Sequence, residues 1–147
     1  MARRSTPPTP AQDLLRAAGL RVTAPRVAVL TEVTARPHAD VDTLARATRD
    51  RLGKVSVQAV YDVLRVLVDH GLVRRLEPAG SPARYEPQTG DNHHHLVCRR
   101  CGQISDVDCA TGAAPCLDAV DDLGFVIDEA EVVYWGVCPD CQPTTTM

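Results

Sequence analysis

The sequence contains few large aromatic residues: one phenylalanine, one tryptophan and three tyrosines in 147 residues. Valine, leucine and alanine must therefore fill the core that the chain buries. No apolar run approaches the roughly eighteen residues that a membrane-spanning helix needs. The first ten residues, MARRSTPPTP, carry arginines but no apolar segment behind them, which predicts a disordered tail and not a secretory signal. We expect a cytoplasmic protein without a membrane partner.

The net charge of −3 is distributed unevenly along the chain. Residues 1–84 contain 14 basic and 8 acidic side chains, a balance of +6. Residues 85–147 contain 2 basic and 11 acidic side chains, a balance of −9. This split indicates that the first half binds a polyanion and the second half does not. Uneven solvation of two surfaces is the alternative explanation.

The first half predicts four short helices followed by a hairpin. Glycines end three of the helices, and polar residues precede three of them as N-caps. These positions are Gly19, Gly53 and Gly71 for the ends, and Thr23, Asp40 and Ser56 for the caps. The segment LVRRLEPAGSPARYEP then predicts two strands around a turn rich in proline and glycine. Helices followed by a basic hairpin indicate a winged helix-turn-helix, although a helical bundle with a surface hairpin has the same pattern.

In a winged helix, residues 57–69 would form the recognition helix and residues 72–87 the wing. The N-terminal end of a recognition helix faces the bases, and basic wing residues meet phosphates. Asp62 argues against DNA binding, because a carboxylate repels phosphate. The candidate DNA-contacting residues are Arg21, Thr23, Arg26, Ser56, Gln58, Tyr61, Arg65, Arg74, Arg75 and Arg84.

Six cysteines without a signal peptide favour metal or redox use over a secreted disulfide scaffold. Four of them form two C-x-x-C pairs, Cys98/Cys101 and Cys138/Cys141, separated by 36 residues. Two such pairs complete the tetrahedral thiolate shell of a structural zinc site. We therefore predict a zinc ion that stabilises a small α/β domain, with strands within 96–108 and 125–138 and a helix at 114–123. A redox dithiol is the alternative.

Cys109 and Cys116 remain outside that set. The six residues between them make a disulfide geometrically feasible, so they are a candidate redox pair. Two small buried side chains are an equally acceptable interpretation.

A second metal site is predicted around the histidines of GDNHHH. Side chains two residues apart on a strand share a face, and nearby carboxylates can add oxygen ligands. Such a mixed nitrogen and oxygen shell suits Fe²⁺, Mn²⁺ or a zinc ion of higher coordination number. A polar, histidine-rich loop is the alternative. The candidate ligands are His38, Glu86, His93, His95 and Asp106.

Several motifs together resemble the ferric uptake regulator (Fur) family of metal-dependent repressors, from about residue 12 to residue 141. They are GLRVTAPRVAVL, HADVDTLAR, VSVQAVYDVLRVLVDHGLVRR, ARYEP, HHHLVCRRCGQISDV and VYWGVCPDC. AVYDVL, GDNHHH and the Cys109/Cys116 segment are most similar to the actinobacterial FurA-type branch, whose members accompany catalase-peroxidase genes. The resemblance implies a winged helix joined by a hinge to an α/β dimerisation domain.

The resemblance also assigns the same two ligand sets, and it makes Tyr61 the tyrosine of the recognition helix. The chain departs from the family at Asp62, where many relatives have arginine or asparagine. A further family metal site would fall on positions that include two alanines, which argues against it: Asn92, His94, Ala113 and Ala130.

We therefore predict an α+β protein with a tail at 1–10, a winged-helix domain at 11–84, a hinge at 85–92 and a dimerisation domain at 93–147. It would be a homodimeric, metal-dependent and redox-responsive repressor, not an enzyme, that binds palindromic double-stranded operator DNA and controls oxidative-stress genes. Zn²⁺ would be structural, Fe²⁺ or Mn²⁺ regulatory, and no organic cofactor is expected. The alternatives are an iron-only or other metal-uptake regulator, a metal hydrolase, and a thiol-disulfide switch protein.

Overall fold

The computed structural model describes residues 9–88, 93–108, 123–126 and 132–143. The chain divides into two compact units, Met1–Thr89 and Gly90–Met147.

Four helices form most of the first unit: α1 (Pro10–Ala17), α2 (Ala24–Ala35), α3 (Val41–Leu52) and α4 (Val57–Asp69). The predicted caps Thr23, Asp40 and Ser56 each accept a hydrogen bond from a backbone N–H of the first turn. None of the described helices is long and apolar enough to cross a membrane.

The start of α1 corrects the predicted tail. The Thr9 side chain accepts a hydrogen bond from the Gln12 backbone, and the Gln12 side chain accepts one from the Thr9 backbone. This capping box, spelled TPAQ, starts the helix at Pro10, so the last two residues of the predicted tail belong to a helix end.

The hairpin of the first unit consists of β1 (Val73–Leu76) and β2 (Arg84–Pro87), which pair antiparallel with Arg74 opposite Glu86. The wing (residues 72–87) is this hairpin with its turn. The core beneath it is formed almost entirely by valine, leucine and alanine, as the composition predicts. Its buried members include Leu15, Val29, Leu30, Val33, Leu44, Val60, Leu64, Leu67, Val73 and Tyr85.

The second unit contains a three-stranded sheet of β3 (His93–Cys98), β4 (Ile104–Asp108) and β5 (Val133–Gly136). The strand order is β4-β3-β5, with β3 antiparallel to β4 and parallel to β5. A single 3₁₀ turn, Pro139–Cys141, follows β5. The α+β prediction is confirmed. The helix predicted at 114–123 lies outside the described residues except for Leu123, which is in a turn.

Candidate metal centres and nucleic-acid surface

The parallel pairing of β3 and β5 brings the two C-x-x-C pairs together. Cys98 is the last residue of β3, and Cys138 follows the end of β5 by two residues. Parallel strands end at the same edge of a sheet, so both pairs lie at that edge. Each pair folds into a tight turn: the Gly102 N–H donates to the Cys98 carbonyl at 3.0 Å, and the Cys141 N–H to the Cys138 carbonyl at 3.0 Å.

The four sulfur atoms have the spacing of a tetrahedral metal site. All of them lie within 4.8 Å of one another, and Cys101 Sγ is 3.7 Å from Cys138 Sγ. Zinc–sulfur bonds of about 2.3 Å at tetrahedral angles place sulfurs about 3.8 Å apart. A disulfide would need about 2.05 Å, and all four cysteines are free thiols.

The electrostatics of the four thiols are compatible with a bound cation. The Cys138 N–H donates to Cys98 Sγ at 3.3 Å, and this and neighbouring backbone N–H groups lower the pKa of Cys98 to about 6. The sulfur of Cys138, and after it that of Cys101, raises the pKa of Cys141 to about 12. Four thiolates at this spacing repel one another, and a divalent ion removes that repulsion. The donor set fits Zn²⁺ in a closed structural site.

A histidine–carboxylate pair lies in the first unit. His38 Nε2 is 3.0 Å from Glu86 Oε2, and the side chains are only 10% and 2% exposed. The backbone holds His38 against the wing, because the His38 N–H donates to the Tyr85 carbonyl at 2.8 Å and the Tyr85 N–H to the Ala39 carbonyl at 3.0 Å. This bridge requires a left-handed conformation at His38, with φ of 69°.

Arg84 supports the same turn from the wing strand. Its guanidinium Nη1 donates to the carbonyl of His38 at 3.2 Å. The sequence predicts Arg84 only as a phosphate contact, because no local pattern joins residues 38 and 84. The structure therefore adds Arg84 as a residue that positions His38.

The second unit contains a corresponding pair. His95 lies opposite Asp106 in the β3–β4 ladder, with 3.4 Å between His95 Nε2 and Asp106 Oδ1. His95 is almost fully buried, at 1% exposure. His93 lies two residues earlier on β3, but its side chain is outside the described part of the chain.

His94 alternates with these two residues. Its ring meets the ring of Tyr134 edge-on, with 6.4 Å between the centroids. The other three positions of the doubtful further metal site, Asn92, Ala113 and Ala130, lie outside the described residues, as do Cys109 and Cys116.

The exposed face of α4 contains the residues that are predicted to contact DNA bases. Gln58, Tyr61 and Arg65 are exposed, while Val60, Leu64 and Leu67 face the core. Ser56 is the N-cap of this helix and Thr23 is the N-cap of α2, so both hydroxyls also stabilise helix ends.

The remaining predicted arginines have partners inside the first unit. Arg26 Nη1 donates to the Arg21 carbonyl at 2.8 Å, and Arg75 pairs with Glu77 at 2.5 Å. Arg74 lies directly across the hairpin from Glu86. Phosphate binding by these arginines remains a prediction.

Sequence reasoning missed one buried ionic cluster. The Glu32 carboxylate on α2 is paired with Arg36 of the C-cap and with Arg51 of α3, whose Nη2 is 2.9 Å away. Glu32 is 4% exposed, so the two guanidiniums replace its lost hydration. The spacing of Glu32 and Arg36 is a helical i,i+4 signal, but nothing local indicates Arg51.

Four helices with a basic hairpin, a second unit with a tetrathiolate cluster, and two histidine–carboxylate pairs define a winged-helix, metal-binding protein. The chain belongs to the ferric uptake regulator family, whose match covers residues 17–134. It is 63% identical over 134 residues, 91% of either chain, to transcriptional regulator FurA of Mycobacterium tuberculosis. It is 31% identical over 134 residues to the peroxide-responsive repressor PerR of Staphylococcus epidermidis, covering 87% of this chain and 85% of PerR.

A solved structure agrees with this assignment. The ferric uptake regulator of Pseudomonas aeruginosa, determined with manganese, matches with a TM-score of 0.67 and 26% identity, over 89% of this chain and 99% of that one. The predicted resemblance is confirmed, and the chain is a metal-responsive transcriptional regulator from a family of DNA-binding dimers. Because the family consists of transcriptional regulators, the metal-hydrolase alternative is wrong.

Proposed function

We propose that this protein is a cytoplasmic, homodimeric repressor whose affinity for palindromic operator DNA depends on a regulatory metal and on oxidation. Two winged helices related by a two-fold axis match half-sites about one helical turn apart. The oxidative-stress genes, those of catalase-peroxidase in particular, are the proposed targets.

The observation that carries this proposal is the His38–Glu86 pair at 3.0 Å, because Glu86 lies on a strand of the wing itself. A metal bound there acts directly on an element that would contact DNA. Two protein ligands compete poorly with water for a divalent ion, whereas four or five bind it tightly. We therefore propose that His38 and Glu86 share one ion with His93, His95 and Asp106.

The donor types of that set favour Fe²⁺ or Mn²⁺ over a thiolate-preferring ion. The metal would supply the positive charge that unites imidazoles and carboxylates from both units. The manganese in the Pseudomonas aeruginosa relative supports this choice. A tenfold to thousandfold gain in operator affinity needs only about 1.4–4 kcal/mol of difference in metal binding between the two arrangements of the units.

Redox sensing is supported by the similarity to a relative named as peroxide-responsive. Two routes are chemically complete. With Fe²⁺ bound, hydrogen peroxide adds one oxygen atom to a histidine ring of the site and leaves water, which no thiol reverses. Alternatively, the thiols of Cys109 and Cys116 reduce one peroxide to two waters and form a disulfide, which a thiol reductant reverses.

The zinc-bound thiolates are poorer peroxide targets, because metal bonds occupy their electron pairs. An iron-only regulator is the competing function. It is favoured by Glu86, since peroxide-sensing members of the family commonly have aspartate near that place.

The experiment measures operator binding by fluorescence anisotropy, on duplexes selected by the protein from a randomised library. Binding is compared with a chelator, with Mn²⁺ and with Fe²⁺, then after low peroxide and after dithiothreitol. We expect metal-dependent binding that peroxide abolishes. Loss with Fe²⁺ alone and no recovery assigns ligand oxidation, and loss with either metal and full recovery assigns Cys109 and Cys116. Operator binding that peroxide does not change under any condition would favour the iron-only regulator. Operator binding that does not depend on metal would refute the proposal.

A further inference from the structure

The exposed face of α4, which is predicted to contact DNA bases, contains a hydrogen-bonded pair, Gln58 and Asp62. Gln58 Nε2 donates to Asp62 Oδ1 at 3.0 Å, and both side chains are exposed. They lie four residues apart, one turn along the helix, beside Tyr61.

The hydrogen bond fixes the orientation of the Gln58 amide. An ionised carboxylate only accepts hydrogen bonds, so the amide NH₂ group, and not its carbonyl, must face Asp62. The amide carbonyl and the second N–H of that NH₂ group then remain available to a ligand. Without Asp62, rotation by half a turn would exchange donor and acceptor at little cost.

We propose that Asp62 is a specificity-determining residue that holds Gln58 in the orientation that reads adenine in the major groove. The assignment rests on the proposed operator binding. Adenine presents an N7 acceptor and an N6 amino donor, and a glutamine amide pairs with both. The free N–H of Gln58 meets N7, and its carbonyl accepts from the N6 amino group.

The same arrangement rejects guanine at that position. Guanine presents two acceptors in the major groove, N7 and O6. O6 would face the Gln58 carbonyl, and the fixed amide cannot rotate to offer a donor, because its NH₂ group is held by Asp62. The carboxylate adds electrostatic repulsion toward O6.

This role accounts for a carboxylate on a face that meets polyanionic DNA. The charge of Asp62 weakens binding to every sequence through the phosphates, and the fixed amide restores discrimination at one base. Asp62 therefore lowers general affinity and raises selectivity.

The test compares Asp62→Ala and Gln58→Ala with Asp69→Ala as the matched control. Asp69 is the last residue of α4 and is also exposed. The Asp69→Ala substitution removes the same charge from the same helix, at a position about 10 Å further from the helix N-terminus than Asp62. Wild-type protein with Mn²⁺ first selects duplexes from a randomised library, and each A·T pair of the selected half-site is then replaced by G·C.

We expect wild-type protein to prefer adenine over guanine at one position per half-site by roughly 5- to 150-fold, the usual value of a bidentate contact. Gln58→Ala should bring that ratio near one, and Asp62→Ala should lower it at the same position, because the freed amide can also rotate to donate to guanine. The double variant should do no more than Gln58→Ala. Asp69→Ala should raise binding to all duplexes and keep the ratio. Circular dichroism melts check that each variant is folded.

An unchanged ratio in Asp62→Ala, with tighter binding to every duplex, would overturn the assignment and leave Asp62 a purely electrostatic residue. Loss of preference at a position that Gln58→Ala does not affect would also overturn it. If wild-type protein selects no sequence at all, operator binding itself has failed, and that outcome is visible before any variant is compared.

Discussion

Replacing His38 by alanine removes one imidazole while preserving the turn that carries it. The His38 N–H donates to the Tyr85 carbonyl and the Arg84 guanidinium donates to the His38 carbonyl, and neither hydrogen bond involves the ring. Histidine adopts the left-handed region more readily than alanine does, so the conformation at φ of 69° adds only a small cost to the variant. The variant should therefore fold, keep its zinc and dimerise.

One cost to stability comes from the contact with Glu86. His38 is 10% exposed and its ring loses a 3.0 Å hydrogen bond with the buried Glu86 carboxylate. A hydrogen bond to a charged group contributes about 1.5–3 kcal/mol, and this sets the expected loss in unfolding free energy.

The metal-dependent gain in operator affinity should fall by a larger fraction than the unfolding free energy does. Without His38, Glu86 is the only proposed ligand left in the first unit. The metal then has little preference between the two arrangements of the units, and the tenfold to thousandfold gain in operator affinity, about 1.4–4 kcal/mol, should fall to nearly nothing. Zinc in the tetrathiolate site is unaffected.

The assay is operator anisotropy with and without Mn²⁺, alongside sedimentation for the dimer and zinc content by chelator titration. His70→Ala is the matched control, because His70 is an exposed histidine of the same unit whose ring Nδ1 contacts the Val66 carbonyl. We expect the control to keep the full metal response. If His38→Ala keeps it as well, the ion does not use His38 and the reasoning is wrong.

Three further outcomes are expected. Cys98→Ser and Cys138→Ser should each lose zinc and dimerise poorly, and a stable zinc-free dimer in sedimentation would contradict a structural role. Tyr61→Ala should lose roughly 1–3 kcal/mol of discrimination between operator and random duplex, whereas Arg74→Ala should weaken both equally and lower the salt slope by about one unit. Arg84→Ala should raise the Mn²⁺ concentration needed for operator binding by about 10- to 100-fold, as the loss of a residue that orients a metal ligand does, and a change confined to the salt slope would make Arg84 a phosphate contact instead.

Local signals predicted the helical half of the fold. Thr23, Asp40 and Ser56 are caps because each precedes an apolar pattern of helical period, and this information lies within a few residues. The capping box of Thr9 and Gln12 is an equally local signal. It was missed because the proline-rich residues before it are typical of a disordered tail.

The tetrathiolate site could be predicted because two C-x-x-C pairs have few other uses. The parallel pairing of β3 with β5, which brings the pairs together, could not. Strand register depends on contacts between residues far apart in sequence, and no short pattern encodes them. The contacts of Arg84 with His38 and of Arg51 with Glu32 were missed for the same reason.

The parallel pairing of β3 with β5 also affects how the second unit responds to proteolysis. A metal that joins Cys98 to Cys138 closes a ring of 40 residues, much as a disulfide would. Such a cross-link lowers the entropy of the unfolded chain, which raises the free energy of that state by about 4 kcal/mol at room temperature. A protease that cuts once inside this ring should leave two fragments that migrate together under native conditions. They should separate only when a chelator removes the zinc, so the metal would keep a nicked regulator in one piece.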